Sequence, residues 1–131
     1  MLGERLATLA LHHHETIYAR ARRIASANLA LLDNFFEAHR GVLNWVRPSG
    51  GMTAFPWIAN AGIADARIFC REAMKRGVLL APGDCFGMPA HFRIGFAASG
   101  ERFAAAVDSL REVTVAAFES STGLSSASQP A

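Results

Sequence analysis

Ile17, Ala21, Ile24, Asn28, Leu31, Phe35 and Ala38 recur at three- and four-residue steps, and Leu32 and Phe36 widen the same stripe. That spacing draws one apolar face on a helix. Arg20, Arg22, Arg23, Asp33 and Glu37 fall on the wet side. The pattern runs back to the start of the chain, so 1–40 reads as one long helix, bent near His12-His13-His14. Gly41 ends it as a left-handed cap would. Asn28 is the one polar member of the stripe, and a buried amide there needs hydrogen-bond partners.

Beyond Gly41 the pattern shortens. Val42–Arg47 is aromatic and β-prone and stops at Pro48; Thr53–Ile58 is a second strand candidate, and Pro56 makes it an edge or irregular strand. Asp65 can cap a helix running to about Arg76, with Phe69, Ala73 and Met74 inward and Gly77 as its stop. Val78–Ala81 reads as a strand before the Pro82-Gly83 turn, and Phe92–Ala97 as another. Ser99 can cap a last helix over Glu101–Glu119, with Phe103, Ala106, Leu110, Val113 and Ala117 facing the core. After Gly123 come Leu124 and then only Ser, Ala, Gln and Pro, so 124–131 reads as a disordered tail. The expected fold is α+β: a long N-terminal helix, then a small, mostly antiparallel sheet of three to four strands covered on one face by helices.

Composition narrows the function classes. At 131 residues, about half of them hydrophobic, the chain holds one domain with a real core. The net charge is only +2 and the twelve arginines are scattered, whereas a nucleic-acid site wants a basic patch interleaved with aromatics. No apolar run approaches the roughly 18 residues of a membrane span. Cys70 and Cys85 lack metal-ligand spacing, and the helical start does not look like a signal peptide. Two reduced thiols in a cytoplasmic protein are the expectation.

Candidate chemistry is sparse. Three consecutive histidines on a helix point about 100° apart and cannot share one ion; no metal site is expected. There is no nucleophile elbow, no glycine-rich dinucleotide fingerprint and no P-loop. What stands out is Arg93, a permanent charge between Phe92 and Ile94 in an otherwise apolar strand. Such a charge needs either a paired carboxylate, for which Asp84 and Glu101 are the candidates, or an anionic ligand. A guanidinium fork matches the two oxygens of a carboxylate. The glycines of Gly50-Gly51 and Pro82-Gly83 would permit close approach of a small molecule.

Several segments in order carry a resemblance: W-V-x-P-x-G-G-x-x-x-F-P at 45–56, F-C-R-E-A-M-K-R-G-V-L-L-A-P-G at 69–83, F-G at 86–87, F-R-I-G-F-A at 92–97, and a closing amphipathic helix. Together they resemble the C-terminal small domain of the pyridoxal-phosphate-dependent class I/II aminotransferases, those related to aspartate aminotransferase. The helix carrying N-L-A-L-L at 28–32 is similar to the interdomain helix that precedes that domain. The resemblance implies an interdomain-type helix over 1–40 and a small domain over 41–123. It implies that Arg93 grips the α-carboxylate of an amino acid or 2-oxo acid. It also implies that the Gly50-Gly51 turn and the strand through Phe55 border the substrate entrance.

The same resemblance exposes a departure. Aminotransferase chemistry uses a lysine that joins the cofactor and then moves the substrate's α-proton. The sequence has one lysine, Lys75, at the end of a helix and placed as a solvated charge. Pyridoxal phosphate therefore belongs to the complete family enzyme, and none is expected on this chain, which should not transaminate alone. The expected role is carboxylate recognition, with a missing large domain or self-association, as in a dimer, covering the exposed helix. The alternative is a cofactor-free binding or oligomerisation module that keeps the fold.

Overall fold

The structure is a computed structural model that describes residues 2–59 and 65–122. The expected tail over 124–131 lies outside the described residues. The N-terminal stripe forms α1 (Leu2–His12) and α2 (His14–Ala38), parted at His13. Hydrogen bonds from His13 N–H to the Leu9 carbonyl and from Ile17 N–H to the His13 carbonyl carry the helix across the junction. The interruption between the two helices thus falls among the three histidines. Gly41 follows α2 at φ +89°, a conformation that L side chains rarely adopt.

Leu32, Phe35 and Phe36 bury the C-terminal half of α2 in the core, whereas α1 buries no residue. Asn28 is buried and spans the sequence: its amide nitrogen donates to the carbonyls of Phe96 at 3.0 Å and Ala98 at 2.8 Å. Only the NH2 end can face two carbonyls, so the amide orientation is fixed. Asn28→Leu strips both acceptors of their donor. It should cost about 1–3 kcal/mol, read as a lower urea midpoint at unchanged slope.

The strands are shorter than their sequence patterns. β1 (Leu43–Asn44) pairs antiparallel with β3 (Trp57–Ile58), and β2 (Thr53–Ala54), β5 (Phe92–Gly95) and β4 (Ala81–Pro82) form an antiparallel sheet in that order. The expected single strand over 53–58 is two strands in different sheets. Pro56, between them, has no N–H to give a ladder, but its carbonyl accepts the Phe92 N–H at 3.0 Å. A bridge between Trp57 and His91 ties the two sheets.

α3 (Arg67–Lys75) begins where the Asp65 carboxylate accepts the Arg67 N–H at 2.8 Å. Phe69, Cys70 and Ala73 are its buried side; Met74, expected inward, is 56% exposed. Cys70 takes that place, and burial pushes its thiol up to about 11. An unfolded thiol ionises near 9, so this contribution to stability is full below pH 9 and is lost as pH rises through 11. α4 (Gly100–Thr122) buries Phe103, Val107, Leu110 and Val113 against α2 and α3. Among the described residues no helix is long and apolar enough to cross a membrane.

Candidate functional site

β5 alternates buried and exposed from Phe92 to Gly95, so Phe92 and Ile94 enter the core and Arg93 faces outward. The expectation of a charge held among apolar neighbours is corrected by the period of two of a strand: the apolar residues beside Arg93 in sequence lie on the other face. Its place is set by pairing with Ala81 on β4 and by β2 on the other flank.

The carboxylate that could have neutralised Arg93 is engaged elsewhere. Asp84 is gripped by Arg67, whose Nε donates to Oδ2 at 2.8 Å and whose Nη2 reaches the same oxygen. That guanidinium holds the Asp84 carboxyl below its ordinary range. No ion pair among the described residues includes Arg93, with Asp84, Glu101 or any other acid.

Arg93 lines a hollow of about 250 Å³ with Thr53, Ala54, Phe55 and Phe86. Its guanidinium carbon lies 5.9 Å from the centre of the Phe86 ring, within reach of a cation–π contact. Phe86 meets Phe55 edge-on at 5.6 Å, and Phe55 is stacked on His91 at 4.9 Å. His91 in turn lies 5.5 Å from Trp57. The hollow is therefore lined by one outward cation and two touching aromatic rings, with further rings behind Phe55.

The loop that supplies Phe86 and His91 is bonded to itself and to its surroundings. Gly83 N–H donates to the His91 carbonyl at 2.7 Å, Met88 N–H to the Gly83 carbonyl at 2.9 Å, and His91 N–H to the Met88 carbonyl at 2.9 Å. Ala66 N–H and Ile58 N–H hold the carbonyls of Pro89 and Ala90. At Gly83 the close approach is by the chain's own backbone, not by a ligand.

The structure does not bring the Gly50-Gly51 turn to this hollow. Those residues line a larger cleft of about 620 Å³ against α2, with Tyr18, Arg22, Ser26 and Phe96. Lys75 is 63% exposed at the end of α3 and paired with Glu72 at 2.7 Å. His12, His13 and His14 are exposed, and no metal-holding cluster occurs among the described residues. The strand through Phe55 was expected to border a substrate entrance, whereas Phe86 and His91 were not anticipated as site residues.

No family model matches the chain. Over 97 residues, 72% of the chain, it is 33% identical to capreomycidine synthase of Streptomyces vinaceus, matching 24% of that protein. A pyridoxal-phosphate-dependent aminotransferase from Streptococcus suis superposes with a TM-score of 0.79 at 31% identity, covering 90% of this chain and 31% of that one. The pyridoxal-phosphate-dependent cyclase OrfR superposes with a TM-score of 0.75 at 32% identity, covering 82% of this chain and 30% of that one. The fold is that of a segment of the pyridoxal-phosphate-dependent aminotransferases, and the chain spans less than a third of the length of these relatives. The cofactor's chemistry uses a lysine amine facing it, whereas the chain's single lysine, Lys75, is turned to solvent and paired with Glu72.

Proposed function

We propose that this chain is the carboxylate-gripping part of a pyridoxal-phosphate-dependent enzyme and carries no catalysis by itself. Arg93 receives the α-carboxylate of an amino acid or 2-oxo acid through two parallel N–H···O bonds. The observation that carries this reading is an outward guanidinium, without an acidic partner among the described residues, set in an aromatic-walled hollow. The relatives bear the names of aminotransferases, a cyclase and a synthase, so the reading rests on the grip and not on one reaction. The lysine that the chemistry needs would come from a large domain outside this sequence. Free Cys70 and Cys85 fit a reducing cytoplasm.

The test is a titration of the 15N-labelled chain with alanine and pyruvate. Amides of 53–55 and 92–95 should shift, and Arg93→Gln should weaken binding about tenfold or more, the worth of a charge-assisted bond. Equal binding by parent and variant would sink the reading. Equimolar pyridoxal phosphate followed by borohydride should leave Lys75 unmodified; a stoichiometric adduct there would show that the chain holds the cofactor.

A second reading, self-association, rests on α1. It buries no residue, and Leu2, Leu6, Leu9 and Ile17 lie exposed along one side of the α1–α2 line. A second copy would cover that stripe. Light scattering should show a dimer that Leu6→Glu with Leu9→Glu converts to monomer; a parent that stays monomeric at its highest soluble concentration removes this reading.

A further inference from the structure

The carboxylate reading of Arg93 leaves open which acid the hollow prefers. Resting on that reading, we propose that it selects monocarboxylates with an aromatic ring close to the acid group and discriminates against dicarboxylates. Among the described residues Arg93 is the one charged member of the lining; the others are Thr53, Ala54, Phe55 and Phe86. With its first carboxylate on Arg93, a dicarboxylate finds no second cation for its other carboxylate among the described lining residues, so the second charge gains nothing there.

The walls favour a ring instead. Phe86 is 54% exposed and lies over the guanidinium, so it leaves surface for a ligand while fixing the direction from which a carboxylate reaches Arg93. Phe55 stands nearly perpendicular to it, at 84°. The stack on His91, itself against Trp57, keeps Phe55 from swinging aside. A ligand ring entering beside two phenyl rings held nearly perpendicular can take up the offset or edge-on packing that aromatic groups prefer at centroid separations of about 4.5–7 Å. A hollow of about 250 Å³ suits a single-ring acid better than a larger one.

The test uses the full chain with propionate, 3-phenylpropionate and succinate, followed through the amides of 53–55 and 92–95. We expect 3-phenylpropionate to bind about two- to tenfold tighter than propionate, the scale of one good aromatic contact, and succinate to bind no tighter than propionate. Because both rings line the hollow, the readout is the ratio of the two affinities within each variant: Phe86→Leu and Phe55→Leu should each bring 3-phenylpropionate down to the affinity of propionate. Equal binding of propionate and 3-phenylpropionate would overturn the selectivity, as would tighter binding of succinate or a preference that survives both leucine variants. In each of those cases Arg93-dependent propionate binding would leave the carboxylate reading standing. Binding of all three acids unchanged in Arg93→Gln would overturn both.

Discussion

Gly83→Ala should destabilise the chain by about 3 kcal/mol or more, among the largest effects available to a single methyl group. A Cβ at this position would lie 2.3 Å from the Met88 carbonyl oxygen and 2.5 Å from that of His91, both backbone atoms. Neither can move alone, because Gly83 is hydrogen-bonded to both residues and Pro82 beside it pairs with Phe92 in the sheet. Relieving the clash means opening the loop that carries Phe86 and His91, so acid binding should fall with stability. Gly50→Ala is the control: nothing lies within 4 Å of its would-be Cβ, and it should stay within about 0.5 kcal/mol of the parent. Urea unfolding of the two variants decides the matter, and equal midpoints would show that the loop is not packed as described.

How far the sequence revealed this architecture depends on how far each pattern runs. The α1–α2 stripe spans many turns, so its period, its interruption at the histidines and its stop near Gly41 were all legible. Asn28 announced its need for partners, though not that they would be Phe96 and Ala98, a contact that only the tertiary fold creates. Strands of two residues show no alternation at all, which is why 53–58 read as one strand until Pro56 divided it between two sheets. In F-R-I-G-F the alternation was present: Phe92, Ile94 and Phe96 are buried, while Arg93 and Gly95 look out. Reading the apolar residues as neighbours on every side concealed the open face. The aromatic walls were harder still, since Phe55 and Phe86 meet Arg93 through sheet pairing and a 3-10 turn at Gly83–Phe86, not through spacing in the chain. The F-G at 86–87 marked the segment without giving its role.

Phe92→Ala and Arg93→Gln, adjacent in sequence, should have opposite consequences. Phe92 is fully buried on the central strand, its ring 5.0 Å from Phe69, and its N–H is bonded to the Pro56 carbonyl. Truncating it removes the transfer free energy of a phenyl ring and leaves a cavity, a cost of about 3–5 kcal/mol. Against a total stability of about 5–15 kcal/mol for a single domain, that brings the unfolded state within reach. Arg93 makes no ion pair among the described residues and faces out, so Arg93→Gln should shift stability by no more than about 0.5 kcal/mol. Both variants lose acid binding, but for different reasons, and the difference is measurable. Sucrose, which favours the compact state by exclusion from the protein surface, should restore binding to Phe92→Ala as it restores the fold, and should restore nothing to Arg93→Gln. Equal unfolding midpoints for the two variants would mean that β5 does not alternate as described. Rescue of Arg93→Gln by sucrose would mean that the guanidinium serves the fold and not a ligand.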